Sequence, residues 1–233
     1  MRFRILAGAA ALLVVMSGVS LSADTKEQEA GKKALQAFND YIGDWKGDAE
    51  AKTGKAEFWK EGMGWGWKFN KDGSPSVQVE FKDSKKFVKG EIKYLTDKKK
   101  LQLTLIDKDK KEQVFEGEFK RNSLSFVRVD ATTMDKYTLK MNTTNEGALL
   151  NLEYTVQTGG RGLDKKLFTV QSKKEGTSLA GGKKNECVVS GGVGTRAVTY
   201  NGKTYYVCCS GCADAFAENP KKFVDEFEKK NKK

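Results

Sequence analysis

The chain has 233 residues, with 42 lysine and arginine residues, 31 aspartate and glutamate residues and no histidine, and its net charge at pH 7 is +11. The lack of histidine excludes a Ser-His-Asp triad, a Cys-His pair and zinc bound through imidazole. The lysines are dispersed and usually stand beside acidic residues, whereas nucleic-acid binding requires a concentrated basic stripe with stacking aromatics. We therefore expect neither an enzyme nor a nucleic-acid partner.

Residues 1–23 have the layout of a secretory signal peptide. Arg2 and Arg4 precede an apolar run over residues 5–16, and small residues then lead to a cleavage site after Ala23. The run is shorter than the ~20 residues that span a bilayer. The sequence predicts an exported protein, periplasmic or secreted, with no transmembrane segment after cleavage.

Residues 24–174 are predicted to form an antiparallel β domain. From position 40 onwards, apolar and polar residues alternate in short segments such as SVQVEFK, LQLTL and LNLEYTV. Turn-forming residues separate about ten or eleven such segments, as in antiparallel meanders. So many strands need closure or sheet stacking to remove their edges. We predict a mainly β fold built on a single up-and-down barrel, with a β-sandwich as the alternative.

The start of this domain carries a Gly-x-Trp pattern at Gly43 and Trp45, directly after the short helical segment LQAFNDYI. The arrangement resembles the opening of lipocalin-like barrels, which implies a barrel closed at one end and open to apolar ligands at the other. Trp65 and Trp67 follow and alternate onto one strand face. The three tryptophans either fill the barrel core or line a cavity for an apolar small molecule, and both interpretations stay open.

Residues 175–186 are polar and rich in glycine, lysine and serine, as flexible domain linkers are. The following segment, 187–233, contains all the cysteines of the chain: Cys187, Cys208, Cys209 and Cys212. Asn201-Gly202 predicts a hairpin between strands at 196–200 and 204–207. A helix is then expected from about Ser210, with an interruption at Asn219-Pro220. The sequence predicts a second, small α+β module.

The spacing of Cys187, Cys208 and Cys212 resembles that of TRASH domains, and the segment YNGKTYYVCCSGCADAFAENPKKF resembles the related YHS domains. This resemblance implies a treble-clef-like module associated with heavy-metal binding, sensing or trafficking. Ser190 stands where many zinc knuckles have a second cysteine. The identity of a fourth metal ligand is therefore open.

The chemistry of the cysteines is consistent with such a module. The hairpin would deliver Cys208 to the first turn of the helix, and Cys212 would lie on the same helical face. A helix N-terminus favours thiolate over thiol, and three sulfurs that include Cys187 suit Cu(I) or Zn(II). Cys209 ranks below these ligands because adjacent residues of an extended segment face opposite ways. A structural disulfide and buried, inert thiols are the alternatives.

The sequence thus predicts an exported protein that holds a soft heavy-metal ion, Cu(I) or Zn(II), in metal handling or sensing. The predicted ligands are Cys187, Cys208 and Cys212, with Cys209 as the weaker candidate, and no catalytic residue is predicted. Two other hypotheses compete with this one. The first is a lipocalin-like carrier of an apolar ligand whose C-terminal module is stapled by a disulfide, and the second is an envelope-associated protein held by its basic surface.

Overall fold

The computed structural model describes residues 20–120, 123–176 and 185–231. The predicted signal peptide lies almost entirely outside these ranges, and so does most of the predicted linker. The first helix, α1 (Ser20–Leu35), precedes the β domain. Within the described ranges, no helix combines the length and the apolar character that are needed to cross a membrane.

The described residues contain a closed barrel of ten antiparallel strands, in which each strand pairs with the next and the last pairs with the first. The strands are β1 (Gly43–Ala51), β2 (Glu57–Phe69), β3 (Pro75–Lys82), β4 (Phe87–Leu95), β5 (Lys100–Asp107), β6 (Glu112–Lys120), β7 (Ser123–Val129), β8 (Lys136–Thr144), β9 (Leu149–Gln157) and β10 (Lys165–Lys174). The predicted up-and-down barrel is confirmed, and a sandwich is not formed. Closure removes the unpaired strand edges that an open meander would expose.

Alternating burial along the strands fills the barrel with apolar side chains. In β2 the buried positions follow a period of two, from Trp59 to Trp67. The end of α1 and a 3-10 turn at Gln36–Phe38 close one mouth of the barrel. There the rings of Phe38 and Tyr41 pack against Trp65, with centroids 6.5 and 5.9 Å away. This closed end agrees with the lipocalin-like resemblance.

The tryptophans of the predicted ligand cavity all lie in the core. Trp45, Trp65 and Trp67 are 1%, 4% and 2% exposed. The Trp45 indole N–H donates to the Tyr41 carbonyl oxygen at 2.7 Å, which fixes the chain where it enters the first strand. Their burial agrees with the core-filling interpretation, while an apolar ligand in the barrel stays a prediction.

The cysteine module consists of two short hairpins followed by two helices. Its elements are β11 (Asn185–Glu186), β12 (Val193–Gly194), β13 (Arg196–Tyr200), β14 (Lys203–Val207), α2 (Ser210–Glu218) and α3 (Pro220–Asn231). Asn201 and Gly202 both have positive φ, 48° and 74°, as the predicted two-residue hairpin turn requires. The interruption at Asn219 falls where it was expected, because proline cannot continue the preceding helix.

The module packs directly on the closed end of the barrel. Phe69 of β2 contacts Phe223 of α3, with ring centroids 6.3 Å apart. Gly211, in the first turn of α2, lies so close to β2 that an added Cβ would collide with the Trp67 carbonyl oxygen. The buried side chains of the two parts therefore form one continuous apolar cluster.

Candidate metal centre

Three of the four cysteines meet between the first loop of the module and its first helix. The Sγ atoms of Cys187, Cys208 and Cys212 all lie within 4.8 Å of one another. Cys187 and Cys212 are completely buried, and Cys208 is half-buried. Side chains separated by up to 25 positions in the sequence thus form one compact sulfur cluster that could hold a metal ion.

Backbone pairing places Cys187 in this cluster. Its N–H donates to the Gly192 carbonyl oxygen at 2.7 Å, and the N–H of the next residue, Val188, donates to the Tyr206 carbonyl oxygen at 2.8 Å. The first bond closes the tight loop CVVSGG, and the second bond ties this loop to β14. The cysteine is thereby held beside the end of the hairpin that carries Cys208.

The second and third sulfurs come from the junction between β14 and α2. The helix begins at Ser210, and Cys209 is its N-cap with extended backbone angles. Cys208 therefore precedes the helix, and the expectation that it lies in the first helical turn is wrong. Its Sγ nevertheless lies 3.5 Å from that of Cys212, because Cys212 points back from the first turn of the helix.

Ser190 lies next to the three sulfurs, at a position from which a fourth ligand could reach a bound ion. Its hydroxyl oxygen is 3.4 Å from Cys208 Sγ, and its backbone N–H donates to Cys187 Sγ at 3.5 Å. The side chain is completely buried. Gln36 and Asn39 donate from the barrel side to the Ser190 carbonyl oxygen, so the barrel helps to fix this loop.

Cys209 lies at the edge of the cluster rather than on the opposite side of the chain. Its Sγ is 3.8 Å from that of Cys208 and accepts the backbone N–H of Trp67 at 3.3 Å. Although it is outside the compact group of three sulfurs, it contacts both that group and the barrel. The prediction that it faces away from Cys208 therefore holds only in part.

None of the four cysteines, all of which lie in the described residues, forms a disulfide. Hydrogen bonds from the thiols of Cys208 and Cys212 lower the pKa of Cys187 and outweigh the effect of its burial. The pKa of Cys212 is raised, chiefly because of its side-chain hydrogen bond with Cys187. Without a cation, ionising one thiol thus keeps its neighbours protonated. A bound metal ion would replace these protons.

A cleft of about 700 Å³ opens between the module and the barrel beside this cluster, and Cys208 and Cys209 are among its lining residues. Gly64 and Gly66 of β2 lie at the floor of the cleft. Their alternation in the segment GMGWGW is the sequence signal that could have revealed the cleft, since glycine in a strand often marks the close approach of another chain segment.

Comparison with known proteins agrees with the cysteine spacing. Residues 194–226 match the YHS domain family, so the C-terminal module contains a YHS domain. Among solved structures the chain is similar to the one described as "Crystal Structure of Rv2717c from M. tuberculosis", with 11% sequence identity and a TM-score of 0.39. The similarity covers 61% of this chain and 97% of that chain. No curated protein matches the chain.

Proposed function

We propose that the protein is an exported metal-binding protein, rather than an enzyme, that holds one Cu(I) or Zn(II) ion at Cys187, Cys208 and Cys212. The observation that carries this proposal is the convergence of three Sγ atoms within 4.8 Å: two of them belong to the segment that matches the YHS domain, and Cys187 precedes that segment. Soft thiolate ligands select Cu(I) and Zn(II) over harder cations. The ion would be handled or sensed outside the cytoplasm.

The number of ligands distinguishes the two ions. Three sulfurs alone suit Cu(I), whereas structural Zn(II) sites are four-coordinate. Ser190 and Cys209 are the neighbours that could complete a zinc site. Because a hydroxyl oxygen is a poor ligand for a soft cation and Cys209 contacts the barrel, three-coordinate Cu(I) is the arrangement that the proposal favours.

Single serine substitutions test the ligand set. Cys187→Ser, Cys208→Ser and Cys212→Ser should each lower Cu(I) affinity by orders of magnitude, since each replaces a soft sulfur with a poorly ionised hydroxyl. Ser190→Ala is the matched control inside the same pocket and should retain Cu(I) affinity but lower Zn(II) affinity if its oxygen is a ligand. Competition with a chromophoric chelator under reducing conditions measures both. Full affinity in all three cysteine variants would overturn the proposal.

Export rests on the predicted signal peptide. Mass spectrometry of the protein from a secreting host should find a mature chain that begins at Asp24. A full-length chain that stays in the cytoplasm would contradict export, but it would leave the metal site untouched.

A further inference from the structure

The cleft between the barrel and the cysteine module carries the opposite charge to the protein as a whole. The chain has a net charge of +11, whereas carboxylates outnumber cations among the described residues that line the cleft, even though Lys46 pairs with Glu175 at 2.6 Å. The lining residues that carry charge are Asp40, Asp44, Glu80, Glu146, Glu175, Lys174 and Arg196. A cleft lined mainly by one sign of charge focuses the field and raises the local concentration of counter-ions. The described lining of this cleft therefore attracts cations.

The register of the barrel strands concentrates two of these carboxylates at the floor of the cleft. Gly64 of β2 pairs with Asp44 of β1 on one side and with Glu80 of β3 on the other. Because directly paired residues point to the same face of a sheet, both exposed carboxylates flank a position that has no side chain. The Asp44 carboxylate leans over this position, 3.2 Å from where a Cβ atom of Gly64 would be, so the floor carries negative charge.

Cys209 lies above the next outward glycine of the same strand. A Cβ atom added to Gly66 would be 4.0 Å from Cys209 Sγ. Cys208 and Cys209 line the cleft, whereas Cys187 and Cys212 are completely buried behind them. A cation that arrives through the cleft therefore meets the sulfurs of Cys208 and Cys209 before it can reach the inner pair.

We propose that this cleft is the loading route of the metal site, with Asp44 and Glu80 attracting the cation and Cys209 serving as its first sulfur ligand. The inference rests on the proposed function. Each step is a ligand exchange in which the oxidation state of the metal does not change. The Cys209 sulfur replaces a water of the hydrated cation and its thiol proton passes to solvent. The sulfurs of Cys208, Cys212 and Cys187 then bind and release their protons, and Cys209 dissociates and takes up a proton again.

Stopped-flow loading with hydrated Cd(II) tests this route, because sulfur-to-cadmium charge transfer gives an ultraviolet signal. The double variant Asp44→Asn/Glu80→Gln should load about tenfold more slowly at low ionic strength, and added salt should slow it less than it slows the wild type. The matched control is Asp48→Asn/Glu112→Gln, which removes two exposed carboxylates outside the cleft. It should load within about twofold of the wild-type rate, since long-range attraction of the cation depends on the charges near its path.

The Cys209→Ser variant tests whether Cys209 binds the cation only during loading or remains a ligand in the loaded site. We expect its loading rate to fall by a larger factor than its equilibrium affinity for Cd(II). An affinity loss equal to that of Cys212→Ser, with an unchanged loading rate, would make Cys209 a resident ligand and overturn the inference. Wild-type loading rates in both the cleft variant and Cys209→Ser would also overturn it, while the proposed function would stand. If the wild-type protein bound no Cd(II), the loading route would fail, whereas the Cu(I) and Zn(II) affinities would still decide the proposed function.

Discussion

The barrel and the cysteine module are stabilised in different ways. The barrel closes on itself and buries large side chains from every strand, among them Phe115, Phe126 and Ile92 at 0% exposure. The module has short hairpins, two helices and few large apolar residues, and its interior includes the buried thiols of Cys187 and Cys212. Small modules with a thin core need an additional constraint, such as a metal ion. We infer that the barrel depends on apolar burial, whereas the module depends on the barrel and on the ion.

The largest effect should come from opening a cavity in the barrel core. Phe126→Ala should lower the free energy of unfolding by about 3–5 kcal/mol, because the removed ring leaves unfilled space among packed neighbours. Val129→Ala, at the exposed end of the same strand, should change it by less than about 0.5 kcal/mol. Denaturant unfolding followed by tryptophan fluorescence measures both. A cost below about 1 kcal/mol for Phe126→Ala would show that the core is loosely packed.

Removing the metal should loosen only the module. A ligand present at 100 times its dissociation constant stabilises the structure that binds it by about 2.7 kcal/mol. Chelation should therefore speed amide hydrogen exchange in residues 185–231 by up to about a hundredfold, while exchange in the barrel strands stays unchanged. Hydrogen exchange read by mass spectrometry separates the two regions. Equal loss of protection in both regions would contradict their independence.

A smaller effect should follow from disturbing the contact between the two regions. Gly211→Ala places a methyl group against the Trp67 carbonyl oxygen, and overpacking of this kind costs about 1–3 kcal/mol. Because the shift falls on the first turn of α2, metal affinity should also decrease. Ala217→Ser, at an exposed position of the same helix, is the control and should retain full affinity. Wild-type stability and affinity in Gly211→Ala would show that the module can shift freely on the barrel.

The smallest expected effect concerns a carboxyl group inside the barrel. Burial raises the pKa of Glu61, even though the Trp59 indole N–H donates to it at 2.7 Å. The folded state therefore binds this proton more tightly than the unfolded state, and stability falls as the pH rises from the unfolded pKa to the folded pKa. Glu61→Gln keeps an oxygen acceptor and removes the charge, so it should raise the free energy of unfolding at pH 7 by about 1 kcal/mol.

Unfolding curves at several pH values check this prediction for Glu61. The gain from Glu61→Gln should disappear below the unfolded pKa, where the wild-type carboxyl is already protonated. Glu112→Gln is the exposed control. The same pH dependence in the wild type and in Glu61→Gln would show that the buried carboxyl does not govern it.

Local patterns were sufficient to predict the elements, but they could not predict how the elements meet. The alternating strands, the Asn201-Gly202 turn and the break at Asn219 each depend on neighbouring residues, and the structure contains all of them. The contact of Cys209 with Trp67 joins positions that are 142 residues apart, and no periodicity encodes such a distance. Helix α2 begins at Ser210, as expected, but Cys208 precedes it because Cys209 is the N-cap of the helix.

Binding of a metal ion by the thiols of the module is tested most directly by metal analysis combined with thiol titration of the native protein. Purification under reducing conditions, followed by exposure to Cu(I) or Zn(II), should give about one ion per chain. The thiols of Cys187, Cys208 and Cys212 should then resist a thiol reagent until a chelator is added. Four freely titratable thiols with no metal retained or taken up would contradict the account.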